Sequence, residues 1–244
     1  MAVRAYARSP AAVVFTLLGT VAVGVVATIG WQLAALFRTT GIATDPTFLG
    51  GLGRLLYLVV VTLTVGTAAF VWLPFSAAVA YAVGRRTEGR TATLGMAASA
   101  VTDNIEAIAR WAKTRLAVGS LDEQLLSEKD IGPNEVVVGC AGFVIPALVL
   151  DAYDLPLAVE RANRVPPGVT RGWQQLLPLV VTIVAVVAVL VWGAITGSLL
   201  APTTLAPAVA MAVVGSVLTA ALDTAWRASV YVSADTASGF SDGP

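Results

Sequence analysis

Asp223 and Arg227 are the two charged side chains that fall inside an apolar stretch long enough to cross a bilayer. Charge is costly in hydrocarbon, so an intramembrane ionisable pair is a candidate for a proton relay, an ion site or an anchoring ion pair. The i,i+4 spacing puts both on one helix face. Counted from Pro207 they lie about 24 and 30 Å along a helix, near one membrane interface rather than the midplane. An interfacial ion pair anchoring the helix end is the simpler expectation. A transport pathway needs polar groups or broken helices near the midplane. Thr62, Thr64 and Thr182 are the mid-helix candidates, and Pro74 and Pro178 interrupt corresponding helices, which keeps transport open as the alternative.

Asp151, Asp154 and Glu160 form a second group in which carboxylates could bind a cation or exchange protons. Their spacing matches no metal loop, and helix capping or surface charge explains them more simply. The chain has no histidine, which removes the commonest general base and the commonest metal ligand together. Its single Cys140 forms neither an internal disulfide nor a metal site. No phosphate-binding loop, dinucleotide fingerprint, GxSxG or HExxH occurs. No catalytic, cofactor or metal residues are therefore expected, and an enzyme is disfavoured. Lys and Arg total 15 against 15 Asp and Glu, so no basic excess points to nucleic acid.

The elements that must position these groups follow from where charge is missing. Residues 172 to 222 carry no charged side chain over 51 positions, interrupted by Ala201-Pro202-Thr203-Thr204 and Pro207. A crossing takes about 20 apolar residues, so this run holds two helices and a turn. Unpaired backbone groups are excluded from lipid, which leaves helices as the spanning structure. Two further apolar runs give four crossings in all, at about 11–37, 55–83, 173–199 and 206–232. The first exceeds the ~7 to 15 residues of a signal-peptide core and is expected to be retained. The spacing of Leu94, Val101, Ile105, Ile108, Ala112 and Leu116 predicts an amphipathic helix over 91–118, with Thr91 or Thr93 capping its start and Gly119 its end. Residues 136–150 are apolar but too short to cross, and are expected to be re-entrant or buried. Asp154 is placed to cap a short helix ending at Arg164, before the breakers Pro166, Pro167 and Gly168. The tail from Ser233, SADTASGFSDGP, has a disordered composition. The expected fold is an all-α polytopic membrane helical bundle, one integral membrane domain over 1–244.

Small residues suggest how the helices meet. Ala208, Ala212, Ser216 and Ala220 form an i+4 ladder, which Ala221, Ala225 and Ser229 extend alongside. Gly193 and Gly197 form a GxxxG in the preceding helix, and Ser76, Ala80 and Gly84 repeat the pattern in the second crossing. Such residues let helix backbones approach closely, here within the bundle or between two copies.

With four crossings, both termini and residues 84–171 share one side. That side holds thirteen of the 15 basic residues, and Arg38 and Arg54 lie on the other. The positive-inside rule then places both termini in the cytoplasm and the chain in the cell membrane.

The segments GRRTEGRTATLGMAASAVTDNIEAIARWA and GFVIPALVLDAYDLPLAVERANRV resemble a prokaryotic, haloarchaeal-type family of multi-pass membrane proteins of unknown function. The matching positions are Arg85 to Arg90, Thr93, Leu94, Gly95, Trp111, Phe143 to Pro146, Asp151, and Ala158 to Arg161. Ala162 stands where the family has serine. The resemblance implies a helical membrane fold with a partly embedded middle region, and supplies no substrate or catalytic residue. A distant similarity to membrane domains attached to glycerophosphodiesterases adds an accessory or scaffolding role by analogy. The expected function is a non-enzymatic scaffold or accessory subunit organising lipids or protein partners, with a small-solute or ion transporter as the alternative. In the first case the amphipathic helix lies in the headgroup plane, with Arg110, Trp111, Lys113 and Arg115 near anionic lipid, or packs on the bundle.

Overall fold

The computed structural model describes residues 2–40, 52–116, 141–151, 154–165, 173–199 and 201–237, and among these every regular element is helical. In chain order they are α1 (Ala2–Ala7), α2 (Pro10–Thr39), α3 (Leu52–Thr87), α4 (Leu94–Asp103) and α5 (Ile105–Leu116). A 3-10 turn, Ala141–Phe143, then leads into α6 (Val144–Asp151), α7 (Leu155–Asn163), α8 (Trp173–Ile195) and α9 (Pro202–Ala237). Four of these, α2, α3, α8 and α9, are long and apolar enough to cross a membrane, so the chain is an all-α, multi-pass membrane bundle.

The spanning helices pair as two antiparallel hairpins, α2 with α3 and α8 with α9. Helix α9 joins the hairpins by packing on α3 and α2. Each hairpin closes where a side chain of one helix occupies the space over a glycine of the other. A Cβ on Gly30 would lie 2.2 Å from Thr64 Cγ2, and one on Gly19 would lie 2.5 Å from the Trp72 ring. In the second hairpin Thr204 covers Gly193 and Thr182 covers Gly215. Lipid adds little drive for helices to associate, so this close approach supplies the dispersion contacts that hold them.

The helices extend past the apolar runs. Helices α3 and α9 have 36 residues each, about 54 Å, against a hydrocarbon core of ~30 Å. Most of the surplus lies at one end, where Ser76 to Gly84 of α3 are all buried. Around it and the matching end of α9 pack α4 to α7, sharing a core with Tyr81, Val101, Ile108, Trp111, Leu148 and Tyr231. The membrane-spanning parts are by contrast largely exposed, with Ile183, Val184, Val187 and Val191 of α8 facing outward. The molecule is therefore a thin bundle bearing a well-packed helical cap. Helix α1 packs on α9, and Tyr6 donates to Thr16 Oγ1 at 2.8 Å across the α1–α2 joint. Burial pushes its phenol above the usual value, offset in part by that bond.

Several expectations change. The 91–118 helix is two helices, because Asn104 turns its side chain back to the Ala100 carbonyl (2.9 Å) and leaves helical geometry at φ −109°, ψ 10°. Asparagine competes for its own backbone in this way. Thr93 caps α4, accepting from the Met96 N–H at 3.3 Å. Trp111 is 5% exposed and faces the cap core, so it does not lie among headgroups. Gly197 is not a packing residue: at φ +69° it is the left-handed residue ending α8, and the Ser198 N–H reaches back to the Gly193 carbonyl at 2.8 Å. Ser216 is exposed and Ala212 and Ala220 are half-buried, whereas Ala208, Gly215, Ala221, Ala225 and Ala228 form the buried face of α9. The tail expected to be disordered from Ser233 onward is helical as far as Ala237, where α9 continues past the apolar run. Its residues 238–244 lie outside the described residues, as do 136–140 of the 136–150 segment, Gly119 and the 166–168 breakers. Of the 136–150 segment, Val144 to Leu150 are buried by protein.

Candidate functional site

The cap is seated on α3 and α9 by polar contacts between residues far apart in sequence. Arg85, in the last turn of α3, donates through Nη2 to the Leu150 carbonyl at 2.9 Å. Its Nη1 meets Glu88 Oε2 at 3.0 Å, and its guanidinium lies 5.3 Å over the Tyr81 ring. Leu150 is in the final turn of α6, where carbonyls lack intrahelical partners and a cation is favoured. Gly84 beside it receives the Leu150 side chain: a Cβ there would lie 2.5 Å from Leu150 Cδ2. Helix α3 ends at Thr87, and the turn after it carries Gly89 at φ +79°, with the Arg90 N–H bonded to the Arg85 carbonyl at 2.8 Å.

On the other wall, Tyr231 of α9 donates to the Asp151 carboxylate. One helical turn earlier, Arg227 Nε meets Asp223 Oδ2 at 2.6 Å. The two side chains are 23% and 25% exposed, and the guanidinium occupies the space over Gly142, 1.0 Å from where a Cβ would stand. Phe143 packs on Trp226 with ring centroids 6.1 Å apart. The sequence pair Asp223–Arg227 is thus brought together, and it forms the seat for the turn that starts the buried segment.

The other groups separate. Asp151 turns to Tyr231, while Glu160 pairs with Arg164 on α7 at 2.6 Å. Asp154 precedes α7 at its N-cap without a side-chain cap bond. No three acidic or cysteine side chains converge on a metal position among the described residues. Asp154 instead borders an open polar groove of about 690 Å³ between α4, α5 and α7, with Asp103, Asn104, Glu106 and Arg110 on its other wall. Arg110 is paired there with Glu106 at 2.6 Å.

The mid-span hydroxyls turn inward to their own helices. Thr64 donates to the Val60 carbonyl at 2.7 Å and Thr182 to that of Pro178 at 2.6 Å, while Thr62 is exposed. No protein-family model, curated protein or solved structure matches the chain. Three contributors were not singled out by sequence pattern: Arg85 for its carbonyl, Tyr231 for its carboxylate, and Gly142 for its missing Cβ. The basic turn at 85–90 was visible, but not which arginine faces inward.

Proposed function

We propose that the protein is a non-enzymatic membrane scaffold or accessory subunit, whose cap is a rigid platform held at the cytoplasmic face of the cell membrane. The observation that carries this reading is the use made of charge near the membrane. Asp223 and Arg227 hold Gly142, Arg85 holds Leu150, and Asp151 holds Tyr231. Groups committed to seating a cap are poorly placed to move with a substrate or a proton. The polar groove between α4, α5 and α7 and the lipid-facing spans are the surfaces left for protein partners, a second copy or lipid. The resemblance to multi-pass prokaryotic membrane proteins, and by analogy to glycerophosphodiesterase-associated domains, supports the same role.

Pro74 and Pro178, each inside a spanning helix that stays continuous through it, leave transport as the second reading. Reconstitution of the purified chain into liposomes decides between them. Ion and solute leakage at the rate of protein-free vesicles is expected; reproducible flux lost on Asp223→Asn would overturn the scaffold. Affinity purification from native membranes should in turn recover a stoichiometric partner.

The orientation rests on thirteen basic residues against two. Thr204 is buried against Gly193, so its exposed neighbour Thr203 is the better probe of the α8–α9 turn. In a Cys140→Ser background, Thr203→Cys should react with an impermeant maleimide on intact cells, and Asp154→Cys only after permeabilisation. The opposite pattern would invert the topology.

A further inference from the structure

A wholly apolar groove of about 350 Å³ opens where the cap meets the spanning helices. Its walls are Ala22 of α2, Val71, Pro74 and Phe75 of α3, and Ile108 and Ala109 of α5. Ala22 of α2 and Ala109 and Ala112 of α5 line it with no side chain beyond Cβ to fill the space. Its volume is at the low end of ligand pockets, about 300–1,000 Å³.

Depth identifies what reaches it. Phe70 to Phe75 lie about 27–35 Å along α3 from Leu52, at the cap-side edge of a ~30 Å hydrocarbon core. Phe70 is 46% and Ile105 49% exposed at the rim, so the opening faces lipid rather than protein. Leu94 and Met96 of α4 are also exposed on the cap, as expected where amphipathic helices rest on the headgroup boundary. Charge on α5 next to the groove favours one sign of headgroup. Glu106 and Arg110 pair with each other along the polar groove, whereas Lys113, one turn beyond the lining residue Ala109, is exposed and has no ion-pair partner among the described residues.

We infer that this groove holds a hydrocarbon chain of an anionic phospholipid from the cap-side leaflet, with Lys113 meeting its phosphate. A chain moving there from the bilayer gains no hydrophobic transfer energy, since both surroundings are apolar. Residence therefore depends on shape and on the lysine, and the selectivity is for headgroup charge. This deepens the lipid-organising part of the proposed scaffold role and rests on it.

The test is electron paramagnetic resonance on the full chain in phosphatidylcholine vesicles, with spin-labelled phosphatidylglycerol or phosphatidylcholine as probe. Wild type should restrict about one more phosphatidylglycerol per protein than the groove-filling variant Ala22→Trp/Ala109→Phe. Lys113→Gln, a surface change that leaves the groove intact, should lower the preference for phosphatidylglycerol over phosphatidylcholine about fivefold. Equal restriction in the filled variant, or unchanged preference in Lys113→Gln, would overturn the proposal. A change of oligomeric state in the filled variant would also overturn it, assigning the groove to a second copy. Any of these failures leaves the scaffold reading standing if a partner still co-purifies and liposomes stay tight.

Discussion

Arg85→Ala should lower the melting temperature of the detergent-solubilised protein by about 5–10 °C, corresponding to ~2–3 kcal/mol. The loss has two parts. The Leu150 carbonyl ends α6 in a place where Leu150 itself is 3% exposed, so its orphaned oxygen has little access to water. A buried acceptor left without a donor costs more than the average hydrogen bond contributes. The guanidinium also gives up Glu88 and the face of Tyr81. Arg85→Lys should recover only part of the loss, because an ammonium cannot reach the carbonyl and the carboxylate with a planar fork. Trypsin should cut faster at Arg161 and Arg164 in the alanine variant, since α7 is held through α6. An unchanged melt and an unchanged digestion rate would mean that the cap is held by its apolar core alone.

Gly215→Val should separate α8 from α9. A Cβ at this position lies 1.8 Å from Thr182 Oγ1 and 2.4 Å from its Cγ2. Thr182 is short, tied to the Pro178 carbonyl, and unable to swing away as a long side chain would. The helices must move apart, at a cost of about 1–3 kcal/mol or more. Two controls make the prediction specific. Gly66→Val and Gly24→Val meet nothing within 4 Å and should melt near wild type. Thr182→Ala removes the two atoms nearest the new side chain, so the double variant should be more stable than the sum of the single losses predicts. Additive losses would mean that the pair does not touch.

The class and the spanning helices were legible because hydrocarbon forbids charge over a length that sequence displays directly. Hydropathy marks where lipid ends, however, and not where the helix ends. Helix α3 continues through Arg85 and Arg86 to Thr87, and α9 through Asp223 and Arg227 to Ala237. The ladder on α9 was read in steps of four, and each such step rotates about 40° around the helix. Ala208 therefore lies on the buried face, while Ser216, two steps later, has rotated away from it. Gly193 and Gly197 look alike in sequence, yet one admits Thr204 and the other ends the helix with positive φ.

The candidate site was half legible. Asp223 and Arg227 are one turn apart, so local spacing found their ion pair. The contacts from Arg85 to Leu150 and from Tyr231 to Asp151 join residues 65 and 80 positions apart. No local pattern encodes such pairings, and the one apolar segment they enclose was too short to declare its surroundings. Gly142 escaped notice for the opposite reason, since its contribution is an absent atom.

The order in which the cap's walls are made has its own consequence. Arg85 precedes α6 in the chain, while Ala228, Tyr231 and Val232, which complete the same core, come near its far end. At ~5–20 residues per second a ribosome needs about 4–16 s to travel from Asp151 to Tyr231. Throughout that interval Val144 to Leu150 can be held by α3, α4, α5 and α7, with the flank that faces Tyr231 bare. The nascent protein thus carries an unfinished hydrophobic face at the membrane surface until its last helix is inserted. Chains that stop before that helix would keep this face, a mark by which quality control can tell them from finished ones.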